Sequence, residues 1–354
     1  MPTASALLPY LQRIDEARWY SNFGPLLTEL EQRIAGRFSS AAQVITVANA
    51  TQALTLTLQA MNLKPGGYVV LPAWTFVATA HAVMQAGLKP WFVDVDPETW
   101  MLDPATVLDL GPAETGEVAA VIPVCAFGAM PDIDCWLAFR ETTGIPVLID
   151  AAAAFDALSD ARLPAVVSLH ATKVLGLGEG GLLATDDAAL AVRVRQLTTF
   201  GFYGSRDSAM PATNAKLSEY AAAVGLAALD DWPADRLRWM RTAQHLQIAL
   251  INQPQVKFQP GWGRDWMTSV CTVGLPPGSA EHVAVSLKED GIDTRQWWGA
   301  GCHTSTAFAD CRREALPVTD ALANSTLGLP FFIDMDAPEI ARVAAALDRA
   351  LSRL

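Results

Sequence analysis

The stretch PVLIDAAAAFDALSDARLPAVVSLHATKVLGLGEGGLLATDD, residues Pro146 to Asp187, decides how this chain is read. Val147–Ile149 is a short apolar run of the kind found in strands buried on both faces, and it ends in an acid, Asp150. A second apolar run, Val166–Val167, leads through Ser168 to a single lysine, Lys173. Glycines 176, 178, 180 and 181 then make a turn, and Leu182–Ala184 resumes an apolar run. In open α/β sheets ligands bind beyond the carboxyl ends of the strands, which is where Asp150 falls. A lysine near such a point, in apolar surroundings, has its ammonium pKa lowered and becomes a nucleophile towards carbonyl groups.

An acid and a lysine so placed fit a pyridoxal 5'-phosphate (PLP) site, with Lys173 as the Schiff-base lysine and Asp150 as the partner of the pyridinium nitrogen. An ordinary strand-end acid and a solvated lysine fit the same spacing, so the surrounding sequence has to decide.

Upstream, Leu26–Phe38 carries apolar residues at helical spacing, and Val44–Val47 reads as a strand. Asn49 is a candidate N-cap for a helix with Leu54, Leu58 and Met61 on one face. A strand that turns into a helix through Ala48-Asn49-Ala50-Thr51 offers free N–H groups at the positive end of a helix dipole, a ready anion site. YVVLP (68–72), a helix over AWTFVATAHAVMQAG (73–87), the strand Pro90–Asp96 and the strand Val121–Val124 continue the alternation. Alternating strands and helices predict βαβ units and a mostly parallel sheet. Downstream lie a helix over Ala188–Leu197, a glycine-bearing polar loop and a long helical region with a break allowed at Trp232-Pro233. The lobe boundary is placed inside or beside that helix, giving a large domain over 1–237 and a smaller α+β domain over 238–354.

Composition sets the outer bounds. The 354 residues suffice for a large core, and 51% hydrophobic content excludes a disordered chain. A net charge of −12, from 25 basic and 37 acidic residues, argues against nucleic-acid partners and against anionic membrane surfaces. It leaves room for a phosphorylated ligand, because a few N–H groups suffice locally. The five cysteines (Cys125, Cys135, Cys271, Cys302, Cys311) show no metal or disulfide spacing and read as reduced thiols of a cytoplasmic protein. The first twenty residues lack a basic region and contain acids, unlike a signal peptide, and no apolar run reaches the roughly 20 residues of a membrane span.

Taken in order, these motifs resemble the DegT/DnrJ/EryC1/StrS family of PLP-dependent sugar aminotransferases, from YSNFGPLLTELE (20–31) to LGLPFF (327–332) and the closing helix. The resemblance implies the aspartate-aminotransferase-like type I fold and a homodimer with active sites shared between subunits. Carried over residue by residue, it implies that Ala50 and Thr51 cradle the cofactor phosphate and that Phe76, in TFVATA, stacks on its ring. Asp150 then meets the ring nitrogen, Ser168 the phosphate, and Lys173 holds the cofactor. Asn214, in TNAKLSE, reaches the phosphate in the neighbouring subunit. Asn22, Gly24, Arg295 and His303 are candidates on the substrate side, and Tyr20 a further one at the entrance.

One departure stands out. The family often follows Asp-Ala-Ala with Gln or His, and here that position is Ala153. The expected activity is transfer of an amino group from an amino acid, with L-glutamate as the first candidate, to a nucleotide-linked keto-deoxy sugar. The alternatives are a PLP-dependent sugar dehydratase or lyase, and a non-catalytic PLP-binding regulatory protein. Lys173 argues against the dehydratase, since variants of the family that dehydrate have histidine in its place. His170 and Glu179 read as locally bonded turn residues, Cys302 and His303 are too close in sequence to act as a nucleophile–base pair, and Trp297 and Trp298 fit a pocket wall or a core equally well. No cluster has metal-ligand spacing.

Overall fold

Short runs of aliphatic and aromatic residues form the central strands because both faces of each are covered. β1 (Gln43–Val47), β2 (Tyr68–Pro72) and β3 (Lys89–Val93) are buried along all but their first residue. β4 (Val118–Val121), β5 (Ile149–Asp150), β6 (Ala165–Ser168) and β7 (Gly181–Thr185) complete the set. The computed structural model describes residues 1–38, 41–111 and 117–354.

The strands run in the orders β1-β7-β6-β5 and β3-β2-β4, and parallel bridges Val121↔Val147 and Val124↔Asp150 join the two sets across β4 and β5. β7 is antiparallel to both neighbours, while β2, β3 and β4 pair in parallel, as do β5 and β6. Arg312–Arg313, far along the chain, adds a short parallel strand beside β3. The sheet is therefore mostly parallel, as the alternation of strands and helices predicts.

Period-two alternation sends neighbouring residues to opposite cores. Val70, Trp91, Ile149, Val167 and Leu182 share one core with the helices α1 (Ala4–Ala17) and α2 (Pro25–Ala35). Val69, Phe92, Leu148, Val166 and Leu183 face the other, against α3 (Ala50–Ala60) and α4 (Val77–Gln85). Two short helices, α5 (Pro104–Leu108) and α6 (Ile133–Thr143), cover the first face, and α7 (Ala188–Leu197) covers the second.

The long helix α8 (Glu219–Ala249) continues unbroken through Pro233, so the break allowed at that point is absent. A proline inside a helix costs about 3 kcal/mol. Trp232, buried edge-on against Phe155 with ring centroids 5.4 Å apart, offsets that cost and pins the helix at the same turn. Beyond α8 a third core forms around an antiparallel sheet of β8 (Lys257–Phe258), β9 (Cys271–Gly274) and β11 (Thr326–Leu329), β10 being the Arg312–Arg313 strand. α9 (Ala280–Glu289), α10 (Pro317–Ser325) and α11 (Ala337–Leu351) supply its helices.

A second difference from the sequence reading bears on the site. The helix expected from Ala73 begins only at Val77, and Phe76 is extended with φ −74° and ψ 147°. Trp74 to Phe76 are thus a strap between β2 and α4.

Candidate active site

Asp150 sits at the end of β5 and is only 5% exposed. The chain turns immediately after it, and the small Ala151 and Ala152 allow the Ala152 N–H to donate back to Oδ1 at 3.1 Å. Thr79 Oγ1, in the first turn of α4, donates to Oδ2 at 2.8 Å. Burial pushes the carboxyl pKa up from its ordinary value, while the Thr79 hydroxyl, the Ala152 N–H and the charge of Lys173 pull it down.

Lys173 is carried by a loop that leaves β6 and folds back on itself. Leu169 N donates to Gly180 O at 2.9 Å, Ala171 N to Gly178 O at 2.8 Å and Leu177 N to Leu169 O at 2.9 Å. The loop needs its glycines: Gly178 has φ +102°, and a Cβ on Gly176 would lie 2.9 Å from Ala171 O. Burial lowers the Lys173 ammonium pKa, and Asp150 is the charge that opposes the shift. An amine so placed is neutral, and nucleophilic, over a wider pH range than a solvated lysine.

The strand register brings the candidate phosphate residues together. Ser168 on β6 pairs with Gly181 on β7, which in turn pairs with Val47 on β1, the strand that leads into α3. Asn49 Oδ1 accepts from Gln52 N at 2.8 Å and caps the helix, and the N–H groups of Ala50 and Thr51 donate to no described residue. Gly181 lies so close beneath this helix start that a Cβ would come within 2.5 Å of Ala50 N. Gly181→Val is therefore expected to displace the helix terminus, costing about 1–3 kcal/mol of stability and at least tenfold in PLP affinity. Thermal melting and fluorescence titration with PLP would check both numbers.

The Phe76 ring is 58% exposed, so one face is free to stack. Asn214 is exposed, with Oδ1 accepting from Lys216 Nζ at 2.6 Å, and its segment is stitched beside α3 by Ala48 N donating to Ala215 O at 2.8 Å. Asn22 is exposed with φ +63°. Gly24 is buried, because a Cβ there would lie 2.6 Å from the Glu219 carboxyl carbon. Arg295 is exposed and pairs through its backbone with Gly328. His303 is 8% exposed, lies edge-on to Phe92 at 6.4 Å, and has a buried Nδ1 with no hydrogen-bond partner. Its burial lowers its pKa. Trp298 stacks on Phe127 at 4.1 Å and meets Trp74 edge-on at 5.3 Å. Ala153 is half-buried and presents only a methyl group. His170 is bonded locally to Thr172 at 2.9 Å and faces Glu179 at 3.6 Å.

Sequence reasoning missed two residues. Glu219, 1% exposed, accepts from Leu26 N at 2.8 Å and Leu27 N at 3.0 Å, so a residue on α8 caps α2. Thr79 lies 71 positions from Asp150, and with the helix expected from Ala73 it read as an interior helix residue with nothing to join it to the acid.

A free helix N-terminus beside a hydroxyl fits a phosphate, the exposed Phe76 ring fits an aromatic cofactor, and a buried carboxylate with a lysine nearby fits a pyridine ring bearing an aldehyde. Among the described residues no helix is long and apolar enough to cross a membrane, and no group of His, Cys, Asp or Glu is placed to hold a metal ion.

Comparison with known proteins gives the family. The model of the DegT/DnrJ/EryC1/StrS aminotransferase family matches residues 3–348. The UDP-2-acetamido-2-deoxy-3-oxo-D-glucuronate aminotransferase of Pseudomonas aeruginosa is 31% identical over 335 residues, covering 92% of this chain and 90% of the relative. The solved structure of a putative PLP-dependent aminotransferase from Bacillus cereus matches with a TM-score of 0.91 at 28% identity, over 98% of this chain and 97% of the other. DesI, solved in the presence of its TDP-sugar product, matches with a TM-score of 0.89 at 33% identity, over 100% of this chain and 91% of the other. Fold and sequence lead to one assignment: the chain belongs to the DegT/DnrJ/EryC1/StrS aminotransferase family and is a PLP-dependent aminotransferase.

Proposed function

We propose that this enzyme moves an amino group from an amino acid, with L-glutamate as the first candidate, to the keto group of a nucleotide-linked deoxy sugar, giving an amino sugar. The observation that carries the reading is the constellation of Asp150, Lys173, Ser168 and the open start of α3 on adjacent strand ends. The relatives named for UDP- and TDP-linked sugars support the substrate class.

When bound, PLP supplies an electron sink for the bond changes at the donor's Cα. The chain's own residues do the rest. The N–H groups of Ala50 and Thr51 and the Ser168 hydroxyl hold the phosphate, and Phe76 fixes the plane of the ring. Asp150, ionised, keeps a proton at the ring nitrogen. Lys173 would hold the cofactor through its amine and, when that amine is free, would carry the proton that amino transfer moves at its Nζ. Lys173 favours amino transfer over dehydration.

The enzyme acts as a homodimer in which Asn214 serves the partner's site, supported by the exposure of Asn214 and by Phe200, 47% exposed, beneath Lys216. Two lobes, 1–237 and 238–354, flank the site; the third core supports the second lobe, and it also takes in Trp74, Val95, Trp100 and Phe127 of the first. Reduced thiols at all five cysteines fit work in the cytoplasm.

An absorption spectrum with and without excess L-glutamate tests the reading. The purified protein is expected to show a band near roughly 410–430 nm that moves to about 330 nm when the donor is added. A band indifferent to glutamate would point to another donor. No band after addition of PLP would overturn the assignment of the site.

A further inference from the structure

Asp150 does not stand alone in the core. Thr79 Oγ1 donates to its Oδ2 at 2.8 Å, and Thr75 Oγ1 lies 2.9 Å from Thr79 Oγ1. Both threonines are 1% exposed. An ionised carboxylate only accepts hydrogen bonds, so the single Thr79 hydroxyl hydrogen must point at Asp150. Thr79 Oγ1 can then only accept from Thr75. The chain has one polarity, Thr75 to Thr79 to Asp150, for as long as Asp150 carries its charge.

We propose that Thr79, polarised by Thr75, is a positioning residue that keeps Asp150 ionised and aimed at the ring nitrogen of PLP. The proposal rests on the reading of Asp150 as that nitrogen's partner. Two features beyond the hydrogen bonds support it. Thr75 and Phe76 belong to the strap before α4, and Thr79 N donates to Phe76 O at 3.2 Å, so one turn of backbone sets the stacking ring and the donor together. The other groups facing Asp150 do not substitute for it: the Ala152 N–H engages the other oxygen, Lys173 acts through its charge, and Cys125 has its thiol pKa raised by burial and by Asp150 itself.

The test uses the holoenzyme. Thr79→Val keeps the shape of the side chain and removes the donor. It is expected to raise the acid limb of the pH–rate profile with glutamate by about one to two pH units and to weaken PLP binding near pH 6 by about tenfold or more. Thr79→Ser restores the donor and both values. Thr75→Val, one bond further away, shifts the acid limb in the same direction by less, and remains informative if Thr79→Val fails to fold. Asp150→Asn, measured in parallel, separates the two ideas. If it leaves PLP affinity and the absorption spectrum unchanged, the role of Asp150 itself is wrong. If Asp150→Asn abolishes both while Thr79→Val and Thr75→Val keep the wild-type acid limb, the positioning role is overturned.

Discussion

Lys173→Ala is expected to release PLP from covalent attachment and to reduce amino transfer by at least ~10²–10⁴-fold, the contribution of one well-placed acid–base group. The variant loses the nucleophile that holds the cofactor as well as the group that moves the proton, so the true figure lies at or beyond the upper end. Mass spectrometry after borohydride reduction would show the cofactor mass on the wild-type chain and not on the variant. The fold should survive, because the loop that carries Lys173 is held by backbone hydrogen bonds between 169 and 180 and by its glycines. The Lys173 pKa is lowered in the fold, so the unfolded chain takes up a proton there more readily. That penalty is largest at neutral pH and disappears as pH rises through the unfolded value of about 10.4. The unliganded alanine variant should therefore melt no lower than the wild type at pH 7. Retention of borohydride-trapped PLP by the variant would assign the covalent bond to another lysine.

Much of the placement of the candidate site was legible because strand ends are local features. Asp150, Ser168 and Lys173 follow short apolar runs that read as buried strands, and Asn49 reads as the cap of the helix it begins. The two-faced burial of those strands fixed the layered architecture with no knowledge of contacts. What escaped was long-range. Thr79 is an ordinary threonine in a mostly apolar helical run until the sheet brings it to Asp150. Glu219 reads as a surface acid in a polar loop, yet it closes the amino end of α2 from the far side of the sequence. Pro233 looked like a helix breaker because propensity is local, whereas the packing of Trp232 on Phe155 that overrides it is not. Trp298 could equally have been a pocket wall, and its stacking on Phe127 within the third core joins residues 171 positions apart in the sequence.

Asp150→Asn should separate stability from function. The carboxyl is buried and its pKa is raised in the fold, so between the unfolded value of about 3.9 and the raised folded value the native state binds the proton more tightly. Stability therefore falls as pH rises through that window, and above it the unliganded enzyme carries a buried charge at a net cost. Asparagine fits the same niche. Its carbonyl oxygen still accepts from Ala152 N, and its amide donates to Thr79 Oγ1, whose hydroxyl hydrogen then turns to Thr75. The unliganded variant is expected to be more stable than the wild type by about 1 kcal/mol or more at pH 8, with the difference shrinking towards pH 4. Amino transfer should meanwhile fall by about 10²–10³-fold, as when a preorganised electrostatic group is removed from a site, because asparagine cannot hold a positive charge at the ring nitrogen. Melting curves of the unliganded proteins across that pH range, set beside single-turnover rates with glutamate, measure both. A variant less stable than wild type at pH 8 would mean that the Thr79, Ala152 and Lys173 interactions outweigh burial, and that Asp150 is held for the fold as well as for the reaction.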